Sequence, residues 1–187
     1  SIIKQTYRDK WPELQTPYSN AVFDTETDMV KGTGEILMAT LSNKSDVLCV
    51  VSREFVAGFA DPVNQIKDCA RRLIGDVLDA RKVELNVVIV DSEIAIVKTI
   101  FDHAHETKPD FVSIWNEEFD IDKCLEACRK AQVDPADIFS DPSVPREFRH
   151  FKFKKGPAKK EMASGRILNF KPAQRWHSLS IPASFYI

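Results

Sequence analysis

At 187 residues the chain is long enough for one domain with a real core, and its 43% hydrophobic and 29% charged content is ordinary for a globular protein. No run approaches the ~18 apolar residues of a membrane span, and Lys4, Arg8 and Lys10 lead into no apolar stretch, so neither a membrane partner nor a secretory leader is expected. The net charge of −2 is uneven: residues 1–140 hold 16 Lys+Arg against 25 Asp+Glu, and residues 141–187 hold 10 against 3, which makes the basic end a candidate polyanion-facing patch.

Residues 1–19 lack clean periodicity. Their Tyr7, Trp11, Leu14 and Tyr18 suit an extended arm packed on a body, and Trp11-Pro12 argues against a long helix. A strand is expected over 20–26. The turn signal Lys31-Gly32-Thr33-Gly34 then leads to a second strand over 36–41, and Asn43-Lys44-Ser45-Asp46 leads to a third over 47–51. Short turns between three consecutive strands predict an antiparallel meander. Asp61-Pro62 reads as an N-cap with proline at the first helical position. Val63, Ile66, Ala70, Leu73, Ile74, Val77 and Leu78 follow at helical spacing, with Arg71, Arg72, Arg81 and Lys82 on a solvated face.

Val87 to Val90 reads as a short strand or an extended lead into the next helix. Asp91 or Ser92 caps that helix, with Glu93 in its first turn and Ile94, Val97, Ile100, Phe101 and Ala104 as its buried stripe. His103 and His105, two apart, face different ways and cannot share a metal. Phe111 to Trp115 is the next buried strand. It makes a parallel strand–helix–strand element beside the meander. A further helix follows Asp120, with Ile121, Leu125, Cys128 and Ala131 on one face, and ends near Asp134-Pro135. Cys49, Cys69, Cys124 and Cys128 form no CxxC pair and no zinc spacing, so they read as small core residues in a reducing compartment.

Residues 135–165 interleave Arg146, Arg149, His150, Lys152, Lys154, Lys155, Lys159 and Lys160 with Phe148, Phe151 and Phe153. Cations for phosphates and aromatic faces for bases suit a single nucleic-acid strand, although a basic surface loop with inward phenylalanines has the same composition. A hairpin is expected between 148–154 and 166–170, turning at Gly156-Pro157.

Two stretches carry chemistry. In Ala21-Val22-Phe23-Asp24-Thr25-Glu26-Thr27, side chains two apart share a strand face. Asp24 and Glu26 therefore project together above Val22, with Phe23 turned into packing. Two adjacent carboxylates at a strand end stay ionised cheaply only around a cation, which points to a hard-metal site for Mg²⁺ or Mn²⁺; the plain alternative is a strand running into a polar turn. The second stretch, Pro109 to Ile121, is a buried strand ending in Asn116-Glu117-Glu118-Phe119-Asp120.

Together, Phe23-Asp24-Thr25-Glu26-Thr27 and Asn116-Glu117-Glu118-Phe119-Asp120 resemble the first two exonuclease motifs of the DnaQ-like (RNase H-like) 3′→5′ exonucleases. The proofreading domain of family B DNA polymerases, especially those of bacteriophages, is most similar. The resemblance covers roughly residues 20 to 187. It implies an α/β RNase H-like fold: a mixed sheet of an antiparallel three-strand meander plus a parallel strand, flanked by helices, with a basic β-hairpin or loop insertion near the C-terminus. Residues 1–19 would be an N-terminal arm. The resemblance also implies two-metal hydrolysis of DNA 3′ ends with two Mg²⁺ or Mn²⁺ ions. Asp24 would bridge the ions, Glu26 would hold the one that activates water, and Asp120 would hold the other. Thr27, Asn116 and Phe119 would line the substrate cleft, joined by Arg149, Lys152, Lys154 and Lys155 from the basic segment. The implied partners are a single-stranded DNA 3′ end or primer-template DNA and a polymerase module in cis, in the cytoplasm.

The sequence departs from the family in one place. The third motif, Y-x-x-x-D, is absent up to Ile187, so the domain reads as truncated before it. Two other classes compete. One is a catalytically incomplete nucleic-acid-binding or structural domain of a polymerase, and the other is a stand-alone DnaQ-like exoribonuclease. A nucleotide-dependent metabolic enzyme ranks low, since neither G-x-G-x-x-G nor G-x-x-x-x-G-K-S/T occurs.

Overall fold

The computed structural model describes residues 18–152 with their side chains, Thr6 and residues 9–11 before them, and the backbone alone of 153–155, 159–161, 167–169 and 174–178. The expected packing of Tyr7 and Leu14 lies outside the described residues.

Five strands form one mixed sheet: β1 (Asn20–Thr27), β2 (Ile36–Ser42), β3 (Asp46–Ser52), β4 (Glu84–Val90) and β5 (Phe111–Ile114), in the order β4-β3-β2-β1-β5. The meander is present, with β1–β2 and β2–β3 antiparallel. Parallel strands flank it on both sides, β4 beside β3 and β5 beside β1. The segment around 87–90 is thus a full edge strand. It stands at the far edge from β5, so the strand–helix–strand element spans the whole meander instead of sitting to one side of it.

Alternation decides the layers. One sheet face carries Phe23, Leu41, Val50 and Val112, and three helices cover it: α2 (Glu93–Thr107), α3 (Glu117–Ala131) and α4 (Pro135–Phe139). Ile96, Ile100, Ile121 and Cys124 fill the interface. The reverse face is covered only in part. Helix α1 (Pro62–Arg81) lies over β3 and β4, where Cys49, Val51 and Val56 pack with Ile66, Leu85 and Ile89. Over β1 and β5 the same face is open among the described residues, leaving Val22 46% and Phe111 39% exposed.

Local signals end the helices as the sequence implies. The Asp61 carboxylate accepts from the Asn64 amide at 3.3 Å, and the Ser92 hydroxyl accepts from the Ala95 amide at 3.3 Å. The short helix α4 was not anticipated; Asp134 caps it by accepting from the Ala136 amide at 2.9 Å. His103 faces Asp46 at 2.8 Å, and the buried His105 meets the Ile138 carbonyl at 2.9 Å, so the two histidines do point to different partners. Cys49, Cys124 and Cys128 are buried and Cys69 is half-buried, all as free thiols. Burial pushes Cys49 and Cys128 up to about 11, which keeps them protonated.

The C-terminal pairing differs from the expected hairpin. Strand β6 (Phe151–Lys155) pairs antiparallel with β9 (Gln174–Ser178), not with 166–170. The pair β7 (Lys159–Glu161) and β8 (Ile167–Asn169) is nested between them. The expected turn at Gly156-Pro157 lies outside the described residues. No described helix is long and apolar enough to cross a membrane.

Candidate active site at the end of β1

Strand β1 places Asp24 and Glu26 on the open face, both exposed, with Val22 on the same face and Phe23 1% exposed beneath. The register with β2 shifts between Glu26 and Thr27, so the strand is re-aimed where the acids end. The turn that follows is built by Asp28. Its Oδ1 accepts from the Val30 and Lys31 amides at 3.0 and 2.9 Å, and its Oδ2 accepts from the Thr33 hydroxyl at 3.0 Å. These bonds hold the Asp28 carboxyl below its usual range, the Lys31 amide contributing most. Gly34, at φ +64, lets the turn pass close to α3: a Cβ there would meet the Lys123 ammonium at 2.9 Å.

Asp120 arrives from the other side. Helix α3 begins at Glu117, earlier than expected, so Asp120 lies in the first turn of the helix and not at its junction with β5. It is 2% exposed. Its Oδ1 accepts from the Thr25 hydroxyl at 2.5 Å. Thr25 sits between the two acids but on the core face, 7% exposed. The resemblance assigns substrate contact to Thr27 and no role to Thr25. The available signal was the alternation itself: a hydroxyl on a buried strand face needs a buried partner.

Asp120 Oδ2 and Glu117 Oε1 are buried without a hydrogen-bond partner among the described residues. Burial raises the Asp120 carboxyl above its ordinary range. The Thr25 hydroxyl opposes this, and the nearby Asp24 charge adds to the rise. Burial alone pushes Glu117 up to about 7. Asp24 and Asp120 therefore stand within electrostatic reach of each other across the end of β1.

The donor type at this site, carboxylate oxygen with one buried oxygen unsatisfied, suits a hard divalent cation. The number gathered is short: among the described residues no three His, Cys, Asp or Glu side chains are grouped to hold a metal ion. Asp24 and Glu26 occupy the open face, and Asp120 is bonded into the core face.

The remaining expected residues scatter. Thr27 is half-buried at the register shift. Asn116 is exposed at the N-cap of α3 and makes no side-chain cap bond. Phe119 is 39% exposed, with the Lys123 ammonium 5.9 Å from its ring centre. Arg149 is engaged in its own loop. Its guanidinium donates to the carbonyls of Val144 and Pro142, each at 2.7 Å, and lies 3.7 Å from Asp137. It braces that loop instead of offering a free cation. Lys152 is exposed. Lys154 and Lys155 lie on β6, and their side chains are outside the described residues. Of two clefts, about 670 and 520 Å³ in volume, neither is lined by Asp24, Glu26 or Asp120.

No protein-family model matches the sequence, and no curated protein matches it.

Proposed function

We propose that the chain is an RNase H-like 3′→5′ exonuclease domain, of the kind that proofreads for family B DNA polymerases, and that it hydrolyses DNA from its 3′ end. The observation that carries this reading is the buried Asp120 carboxylate at the start of α3, tied by one oxygen to Thr25 between Asp24 and Glu26 of β1 and with its other oxygen unpartnered among the described residues. The meander with β5 parallel to β1 is compatible with that fold.

Asp24, Glu26 and Asp120 are the residues that would hold divalent cations. Bound Mg²⁺ or Mn²⁺ supplies an acidified water and neutralises charge at the phosphorus and the leaving oxygen. The chain's own contribution is positional. The Thr25 hydroxyl fixes one Asp120 oxygen and leaves the other available. The strand backbone holds Asp24 and Glu26 on one face. Asn116 and Phe119, exposed at the start of α3, would meet the terminal nucleotides on this reading. A polymerase module in cis and a cytoplasmic location belong to the same reading.

A second reading is favoured by one observation: among the described residues no three His, Cys, Asp or Glu side chains are grouped to hold a metal ion. On that reading the chain binds nucleic acid without cleaving it. The deciding experiment is degradation of a 5′-labelled DNA strand, and of the matching RNA, with Mn²⁺, by the wild-type chain and Asp24→Ala. A ladder from the 3′ end that Asp24→Ala abolishes is the expected result. Cleavage unchanged by Asp24→Ala would sink the assignment. Binding without cleavage would favour the second reading, and a preference for RNA would make the enzyme an exoribonuclease.

A further inference from the structure

The open sheet face carries a second feature, a cleft of about 670 Å³ at the other end of β1 from the acids. Its walls come from separate parts of the chain: Tyr18, Asn20 and Val22 at and before the start of β1, Lys44 in the β2–β3 turn, and Arg81 at the end of α1. Among the described residues no Asp or Glu lines it, although residues 1–140 hold 25 acidic side chains against 16 basic ones. Lys44 and Arg81 are exposed, and neither joins an ion pair among the described residues.

The hydrogen-bonding groups in the cleft divide into spent and spare. The Thr107 hydroxyl donates to the His103 carbonyl at 2.9 Å, and the Ser45 hydroxyl donates to Asn43 at 3.2 Å. Ser19 gives its amide and its hydroxyl to Asp110 at 2.7 and 2.9 Å, and those bonds hold the Asp110 carboxyl below its usual range. Asn20 uses its oxygen to accept from Ser113 at 3.0 Å, which leaves its amide nitrogen. The Ser42 hydroxyl is spent on the Val22 carbonyl at 3.5 Å, and the Asn43 amide donates to Asp46. Among the described residues the spare donors therefore include the two cations, the Asn20 amide nitrogen and the Tyr18 hydroxyl. Beside them the Tyr18 ring, 70% exposed, is held edge-on against Phe111 at 5.4 Å.

Two cations with no acid among the described lining residues, an amide donor and an exposed ring held against Phe111 are the chemistry that takes a phosphate together with an attached base. The volume suits a ligand of that size. We infer that this cleft binds a nucleotide unit, its phosphate on Lys44 and Arg81 and its base on Tyr18. The choice of a nucleotide over another aromatic phosphate rests on the exonuclease reading. Val22 lies on the face of Asp24, about 7 Å from it along the strand, so a strand seated in the cleft would run over Val22 towards the acids. The unit is either part of such a strand or a free nucleoside monophosphate.

The test is binding in EDTA, where cleavage does not enter, with three probes: a fluorescent thymidine octamer, thymidine 5′-monophosphate and inorganic phosphate. Lys44→Gln/Arg81→Gln is compared with Arg53→Gln/Lys98→Gln, which removes equal charge from surface pairs outside the cleft. The expected result is octamer binding about tenfold weaker in the cleft variant, with a salt dependence shallower by about 1.4, the share of two phosphate contacts. The control should stay within about twofold of wild type, since it touches no such contact. Tyr18→Ala should weaken the octamer and the monophosphate but not inorganic phosphate. Loss of monophosphate binding in the cleft variant would identify a free nucleotide as a source, and an effect on the octamer alone would identify the strand. A cleft variant no weaker than the control, or wild-type protein that binds none of the probes, would overturn the site. Failure of Asp24-dependent cleavage would end the exonuclease reading without moving these affinities.

Discussion

The Thr25 hydroxyl donates to the buried Asp120 carboxylate, and the bond is short at 2.5 Å. Thr25→Val keeps the shape of the side chain and removes the donor. At pH 7 the loss should cost on the order of 1–3 kcal/mol, the usual penalty for an unsatisfied buried polar group. Near pH 3 a protonated Asp120 carries less charge to desolvate, so the cost should shrink. Urea unfolding at both pH values measures this, and equal midpoints for Thr25→Val and wild type at pH 7 would remove the hydroxyl from the account. Glu117 gives a second pH signature. Its carboxyl is pushed by burial from 4.5 to about 7, so the folded state holds that proton more tightly than the unfolded chain does. The stability this contributes is full below about 4.5, falls as pH rises towards 7, and stays lost above it. Glu117→Gln should therefore raise the thermal midpoint at pH 8 and leave it nearly unchanged at pH 4.5. A variant that melts with the wild type at pH 8 would contradict the burial of that charge.

Among the elements, α1 separates what periodicity can show from what it cannot. Val63, Ile66, Ala70, Leu73, Ile74, Val77 and Leu78 form one stripe on paper, yet only Leu78 is buried, while Leu73 is 72% and Val77 44% exposed. The helix is interrupted at Ile74 (φ −136, ψ 20), and it covers only the β3–β4 side of the sheet. Leu78→Ala should cost about 2–5 kcal/mol, as a core truncation does, whereas Leu73→Gln should fall within about 0.5 kcal/mol of wild type. Chemical denaturation of the two variants checks this, and equal losses would mean that the stripe is covered after all. The same contrast runs through the chain. The caps at Asp61 and Ser92 were legible because a cap is a contact across three residues. The alternation of Val22, Phe23 and Asp24 was legible because it is a property of one strand. The place of β4 was not, because strand order is decided by partners dozens of residues away, and 84–90 reads equally well on either edge. The expected pairing of 148–154 with 166–170 failed for the same reason, since β6 pairs with β9 instead. At the site, the shared face of Asp24 and Glu26 could be read locally. The bonding of Asp120 to Thr25 on the opposite face could not, since it depends on where α3 begins.

At the scale of the whole molecule, a line of four rings joins the strand that bears the acids to the start of the basic C-terminal segment. Phe23 of β1 lies 5.6 Å from Phe101 of α2, Phe101 lies 4.5 Å from Phe139 of α4, and Phe139 stacks at 4.4 Å on Phe151 of β6. The Ser140 hydroxyl reinforces the last step by donating to the His150 carbonyl at 3.1 Å. Phe139, fully buried, is thus the link between the sheet core and β6. Each contact in the line is worth about 0.5–1.5 kcal/mol beyond simple burial, so the rings hold the segment through packing more than through charge. Phe139→Ala should cost about 3–5 kcal/mol in global stability. It should also raise amide exchange at Phe151 and Lys152 by a larger factor than at Ala39 or Val50, which lie in the central strands β2 and β3. Phe139→Leu keeps most of the volume and should show a smaller, similarly directed change. Exchange that rises equally in β6 and in the central strands would mean that β6 is held by contacts other than this line, and the coupling between the acidic strand and the basic segment would have to run elsewhere.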